Sequence, residues 1–285
     1  MPPCFKTGGG TAVRINTDTE KIDKLSTIEM VTLFNNEDKK VAEAVSECIG
    51  TIAAAVDLMT EKLKKGGRVI YLGSGTSGKL AVIDASECPP TFGIDDNVII
   101  GVISGGIEAV AGWKEETEDD EELAVKDLKG RGLSEPDVVV GISASGNTPY
   151  VLSGIRYASE LGCSTIGISC SEKGKLNGLT DICITADVGP EVIEGSTRLK
   201  AGTAQKMILN MLSSCTMIKL GKTYGNLMAN LRPISLKLKK RALDIIMYAA
   251  GCSEEEALKA FEKAGGNART AILSLVNDSS KIEGD

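Results

Sequence analysis

Five short apolar runs, at residues 68–72, 97–103, 137–142, 164–169 and 182–186, alternate with helix-length stretches that each carry a polar face. No other feature of this 285-residue chain restricts its fold so tightly. Strand and helix in regular alternation build βαβ units, and these place successive strands side by side in a parallel sheet. Residues 76–86, about 114–129 and 150–161 are the expected crossover helices. A long helix over 199–220 closes the region, with Met207, Met211 and Ile218 on its apolar side. Upstream, Val41, Val45, Ile49, Ile52, Val56 and Met59 recur every three or four residues, which predicts helix over 38–64 with a break near Gly50. Ser26 and Glu29 form a capping box before it.

The two ends differ from this centre. Residues 1–19 are rich in Gly and Thr and read as an arm held by a partner or left mobile. Residues 230–233 read as a linker. Beyond them, helices are expected at 236–250, from the capping box Ser253–Glu256 to Gly265-Gly266, and over 268–276. The expected division is an α/β domain with N-terminal helices over 1–232 and a small helical domain over 233–285.

Composition removes whole classes of function. A net charge of −7 offers no cationic face for a nucleic-acid backbone. The eight cysteines form no CxxC pair, and buried reduced thiols suit them better than a disulfide framework. No leader-like segment and no bilayer-length apolar stretch is present, so a cytoplasmic location with no membrane partner is expected. There is no histidine. That eliminates the usual general base, the usual zinc ligand and every Ser-His or Cys-His pairing, leaving proton transfer to Glu, Asp, Lys, Tyr or Cys.

Two turns can hold an anion. Gly73-Ser-Gly-Thr-Ser-Gly78 follows the first strand and opens a helix, so Ser74, Gly75, Thr76 and Ser77 present N–H and hydroxyl donors at a helix N-terminus. It has neither the dinucleotide spacing with its ribose-binding acid nor a Walker Lys-Ser/Thr pair. Ser143-Ala-Ser-Gly-Asn-Thr148 follows the third strand in the same manner, with Ser143, Ser145, Asn147 and Thr148 as donors and Pro149 starting a helix. Glycine also serves ordinary tight turns. Two such turns at one end of one sheet, where open α/β proteins place ligands, favour a small phosphorylated molecule.

Gly73-Ser-Gly-Thr-Ser-Gly-Lys-Leu80, continuing into Asp84-Ala-Ser-Glu-Cys-Pro-Pro-Thr-Phe-Gly93, resembles the signature of bacterial N-acetylmuramic acid 6-phosphate etherases. Ser143–Tyr150, Gly195–Lys206 and Gly221–Met228 are similar to the later motifs of that family. The resemblance implies a sugar isomerase (SIS) fold: a three-layer αβα domain with a five-stranded parallel sheet, followed here by a helical bundle. It also implies a homodimer with its site near the subunit interface, and no cofactor or metal. The implied reaction turns N-acetylmuramic acid 6-phosphate and water into N-acetylglucosamine 6-phosphate and D-lactate, by elimination and then hydration, within cell-wall recycling. By resemblance Glu87 protonates the departing lactate and Glu118 removes the C2 proton, which requires one carboxyl protonated and the other ionised. Glu194, Ser196 and Lys200 approach the ligand by the same likeness.

Read from the residues alone, Glu87 is expected to end a helix that Pro89 and Pro90 cannot continue. Glu118 stands in an acidic run that otherwise suggests a solvated face, with Glu115 or Glu116 as alternative registers. Ser196 could simply cap the long helix. Asn230 stands where the family pattern leads one to expect an acid. Two rival functions share the fold, an aldose–ketose isomerase and a sugar-phosphate-binding regulator. Glu87 within Ala-Ser-Glu-Cys-Pro-Pro favours the etherase over the first, and the lack of a DNA-binding or second SIS domain disfavours the second.

Overall fold

The computed structural model of the protein describes residues 14–112, 117–233 and 235–282. Strands β1 (Val69–Gly73) and β3 (Val138–Ile142) are buried along their whole length, as strands covered on both faces must be. They pair in the middle of a parallel sheet completed by β2 (Ile99–Ile103), β4 (Ser164–Ser169) and β5 (Ile182–Thr185), in the order β2-β1-β3-β4-β5. Gly73 is in register with Ile103 on one side and Ile142 on the other, so the three strands end level. Strand order reverses between β1 and β3, and a crevice opens at such a switch point outside the carboxyl ends of the strands.

In chain order the helices are α1 (Thr27–Ser46), α2 (Ile49–Lys64), α3 (Gly75–Phe92), α4 (Glu108–Ala111), α5 (Glu121–Gly130), α6 (Pro149–Glu160), α7 (Lys200–Lys219), α8 (Leu236–Ala250), α9 (Glu254–Lys263) and α10 (Ala268–Ile282). The period-two pleat divides the strands between two cores. Val69, Tyr71, Val138 and Val140 pack with α1, α2, α3 and α7. Ile70, Leu72 and Val139 pack on the other face with α5 and α6. Each such aliphatic side chain contributes about 1.5–3 kcal/mol on burial, so the layers are held by these faces more than by helix propensity.

Three elements depart from the sequence reading. The α1–α2 break falls at Glu47-Cys48, not Gly50, and the Cys48 thiol donates to the Thr185 carbonyl at 3.1 Å where the chain turns. Of the helix expected over 114–129, residues 114–116 lie outside the described residues, and the α-helix observed is α5, starting at Glu121 because Asp120 accepts the Leu123 N–H at 2.9 Å and caps it. Glu121 and Glu122 then complement the helix dipole. Most consequential is α3, which passes through Pro89 and Pro90 to Phe92. A proline removes one donor and crowds the carbonyl four residues back. So late in the helix this affects only Ala85 and Ser86, beside a surface cleft lined by those residues and both prolines. The stop comes from Gly93, at φ 63°, whose N–H reaches the Pro89 carbonyl at 2.9 Å.

The last three helices enclose a third core built on Ala242, Ile246, Ala257, Phe261, Ala271 and Ile272, joined by Ala229 and Leu231. The segment before them is fastened rather than slack. Asn230 donates from Nδ2 to the Phe92 carbonyl at 2.6 Å and accepts from Asn267 Nδ2 at 2.9 Å. An acid there would lose the first bond, which accounts for an amide at this position. Seven cysteines of the described residues are free thiols. Cys48, Cys88, Cys163 and Cys170 are buried, while Cys215 is exposed. Among the described residues no helix is long and apolar enough to cross a membrane.

Candidate active site

The turn from β1 into α3 is built by close approach. A Cβ on Gly73 would meet the Gly78 nitrogen at 2.7 Å, and one on Gly78 would meet the Gly73 carbonyl oxygen at the same distance. Gly75 takes φ +52°, which side chains disfavour. Ser74 occupies the N-cap position, but its hydroxyl makes no cap bond. It lies 2.7 Å from the hydroxyl of Ser104, at the end of β2. The first-turn N–H groups of α3 therefore have no helical carbonyl behind them and no capping side chain. They point toward a cleft of about 390 Å³ lined by Ser74, Gly75, Thr76, Lys79, Ser104, Glu118 and the 195–198 segment. Ser77 does not line it; its buried hydroxyl donates to Gln205 Oε1 at 3.0 Å.

Glu118 reaches this cleft from a loop, not a helix. Its carbonyl accepts the Tyr150 N–H at 3.0 Å, which ties the loop to the second residue of α6. Next to it, the Thr117 hydroxyl donates to Ser104 Oγ at 3.0 Å, linking the loop to the hydroxyl pair at the ends of β1 and β2. The alternative registers Glu115 and Glu116 lie outside the described residues.

The second turn is occupied with itself. Ser143 Oγ lies 2.8 Å from Thr148 Oγ1 and accepts the Gly146 N–H at 3.1 Å. Asn147 donates from Nδ2 to the Ser145 carbonyl and accepts the Lys175 N–H through Oδ1. Of the four predicted donors Ser145 lines a second cleft, of about 250 Å³ and shared with Arg14, Glu191 and Glu194, and the other three line neither cleft. Gly195 and Thr197 line both clefts, so the 195–197 segment forms the wall between them.

The third predicted cluster divides. Ser196 lines the first cleft and Glu194 the second, where Glu194 accepts the Arg14 backbone N–H at 3.2 Å. Ser196 does not cap α7. The buried Glu191 does, taking the N–H of Lys200 at 3.0 Å and of Ala201 at 2.9 Å on its two oxygens. Lys200 turns inward, 1% exposed, and its ammonium donates to Glu37 Oε2 at 2.7 Å. Burial pushes the Glu37 carboxyl upward. Hydrogen bonds from Lys200 and Lys40 outweigh that and hold it below the ordinary carboxylate value.

Glu87 lies elsewhere. It follows Gly75 by twelve residues on α3, roughly 18 Å along the axis. Its side chain is exposed and lines neither cleft of the site. Within one chain, then, the two proposed glutamates are not brought together. The adjacent Cys88 is a packing residue. It is 2% exposed, its thiol donates to the Asp84 carbonyl, and burial pushes it up to about 12. Asp84 itself is buried, accepts from Asn210 Nδ2 at 2.6 Å and Ser213 at 3.2 Å, and so clamps α3 to α7. Burial raises its carboxyl above the ordinary value.

Sequence reasoning missed Lys79, Ser104, Thr197 and Arg198 on the first cleft, and Arg14 and Glu191 on the second. Lys79 could have been found, since it stands four residues after Gly75 and so shares its helix face. Arg14, which pairs with Asp187 at 2.9 Å, meets its site across 173 residues and leaves no local pattern.

Known proteins resemble the chain at two levels. Residues 51–159 match the family model described as the glucokinase regulatory protein N-terminal SIS domain, and residues 125–214 match the SIS domain. Among solved structures, a phosphoheptose isomerase from Francisella tularensis superposes with a TM-score of 0.55 at 20% identity, covering 67% of this chain and 98% of that one. Another from Neisseria gonorrhoeae gives 0.52 at 18%, covering 67% and 99%. At that identity the likeness concerns the fold, and the fold is of the SIS type. Sequence relatives are much nearer. The N-acetylmuramic acid 6-phosphate etherase of Clostridium beijerinckii is 49% identical over 94% of this chain and 88% of its own. That of Pasteurella multocida is 48% identical over 94% and 89%. With nearly the full length aligned at such identity, the chain belongs to the N-acetylmuramic acid 6-phosphate etherase family.

Proposed function

We propose that the chain is a carbon–oxygen lyase that converts N-acetylmuramic acid 6-phosphate and water into N-acetylglucosamine 6-phosphate and D-lactate. The observation that carries this reading is the placement of Glu118 on the cleft into which the uncapped first turn of α3 opens, in a chain with etherase relatives at 49% identity. The α3 turn holds the phosphorylated sugar by N–H and hydroxyl donors on the Glu118 cleft, while the Ser143–Thr148 turn meets the second cleft through Ser145. With the ring open, Glu118 takes the C2 proton beside the aldehyde. Glu87 then protonates the ether oxygen as lactate leaves C3, and water adds to the unsaturated product.

Because Glu87 is remote from the cleft of its own chain, the reading assigns it to the cleft of a second copy in a homodimer. Ile83, one turn before Glu87 on α3, is 54% exposed, which suits a surface covered by another subunit. Residues 233–285 act as a helical domain, in keeping with the separate third core. Free thiols fit a reducing cytoplasm.

Incubation with N-acetylmuramic acid 6-phosphate, followed by assay for free D-lactate, tests the proposal. Lactate should appear in step with N-acetylglucosamine 6-phosphate. A ketose product from an aldose phosphate without lactate would make the chain an isomerase, and binding without turnover would make it a regulator.

A further inference from the structure

The substrate proposed above carries two anions, a phosphate on C6 and the carboxylate of the lactyl group on C3. N–H and hydroxyl donors of the α3 turn can hold one anion without a formal positive charge. The second needs a counter-charge, and among the described residues the first cleft is lined by two cationic side chains, Lys79 and Arg198. Arg198 is exposed, where solvent and salt weaken any pairing. Lys79 is half-buried in α3, and among the described residues its one hydrogen bond is a 3.5 Å donation to the Gly112 carbonyl. No carboxylate of the described residues pairs with it, whereas Lys200, Lys40 and Lys65 each have an acidic partner. A half-buried ammonium with no carboxylate partner among the described residues, on a ligand cleft, is suited to meet an anion of the ligand.

Its position selects which anion. The Lys79 ammonium reaches toward Gly112, just after α4, which lines the same cleft as Glu118. Glu118 acts at C2, and the lactyl ether is on the adjacent carbon, so the lactyl carboxylate falls on the Glu118 side of that cleft. The phosphate, at the far end of the sugar, falls toward the first-turn N–H groups of α3. We propose that Lys79 forms the subsite for the lactyl carboxylate, distinct from the phosphate subsite, and so selects the ether-bearing sugar over sugar phosphates that lack it. The inference rests on the reaction proposed above.

Lys79→Met and Lys79→Arg are compared with the unaltered protein in two measurements, with thermal melting as a check that each variant is folded. One is the steady-state release of D-lactate from N-acetylmuramic acid 6-phosphate. The other is calorimetric binding of N-acetylglucosamine 6-phosphate, which keeps the phosphate and lacks the lactyl group. A charge-assisted bond predicts a loss of about 10- to 100-fold in kcat/KM for Lys79→Met. Binding of N-acetylglucosamine 6-phosphate should stay within about 2-fold, and Lys79→Arg should recover most of the lactate release. An equal loss in both measurements would make Lys79 a phosphate ligand, and no loss in either would remove it from the site. Both results overturn the subsite. Absence of lactate release from the unaltered protein would instead reject the reaction itself.

Discussion

The loop that carries Glu118 and the helix that carries Glu87 are made rigid in different ways and for different neighbours. Glu118 stands on irregular chain, yet a backbone bond to Tyr150 and the Thr117–Ser104–Ser74 hydroxyl series hold that chain at the ends of the central strands. Glu87 stands on a regular helix that Asp84 clamps to α7, yet its side chain faces outward, away from both clefts. One carboxyl thus lines a cleft of its own chain, and the other is held firmly on the surface. Under the reaction proposed above, the difference teaches that one half of the proton relay is built into the fold and the other half requires a second copy.

The largest effect that can break this contrast comes from the carboxyls themselves. Glu118→Gln should lower both lactate release and exchange of the C2 proton with solvent by about 10²- to 10⁴-fold, since proton removal precedes everything else. Glu87→Gln should lower lactate release by a similar factor while C2 exchange, followed in D2O by NMR, continues. Equal loss of exchange in both variants would place Glu87 at the same step as Glu118. Mixing the two inactive variants then tests assembly. Subunits that share sites regain about a quarter of the original lactate release after random exchange, because half the pairs are mixed and each mixed pair has one intact site. No recovery, despite demonstrated exchange of subunits, would confine each site to one chain.

A smaller effect separates the ligand cleft from the buried ion pair behind it. Lys200→Met leaves the carboxylate of Glu37 buried with Lys40 alone, and removing one partner of such a pair costs about 3–5 kcal/mol. The Glu37 carboxyl is depressed in the folded protein, so its contribution is present above the ordinary value of 4.5 and is lost as pH falls through the folded value. In the variant Glu37 protonates more readily and no longer needs its partner. The stability gap measured by urea unfolding should therefore be wide at pH 7 and narrow progressively as pH falls below 4.5. A gap independent of pH would mean that Lys200 contributes by packing alone.

Much of this was legible in the residues, and the misses share a cause. Apolar runs set between helix-length stretches predicted all five strands because a strand covered on both faces is apolar along its length, a property local to the run. The α3 turn was legible because Gly73, Gly75 and Gly78 answer steric demands within a single turn. The continuation of α3 through Pro89-Pro90 was not, since the preference against proline was outweighed where few helical bonds remained to lose. Lys200 looked like a ligand contact because a motif records that a residue matters, not which way it points. Its partner Glu37 is 163 residues away, and only the packing of α1 on α7 reveals it.

The smallest effect tests whether the two halves of the contrast can be moved separately. Asn230 fastens the C-terminal end of α3 by donating to the Phe92 carbonyl, five residues beyond Glu87, and it connects that end to α10 through Asn267. Asn230→Asp keeps an acceptor for Asn267 but has no donor for Phe92, leaving that carbonyl unsatisfied at a cost of about 1–3 kcal/mol. The resulting freedom lies at the Glu87 end of the helix. The Glu118 loop is tied to β1, β2 and α6 and has no bond to Phe92 or Asn230 among those described. Lactate release should therefore fall several-fold while C2 exchange is nearly unchanged, the same sign as Glu87→Gln on a smaller scale. A parallel fall in both rates would mean that α3 shifts as one body from Phe92 to Gly75. The placement of Glu87 and the shape of the phosphate turn would then be a single variable, and the contrast between them would lose its mechanical basis.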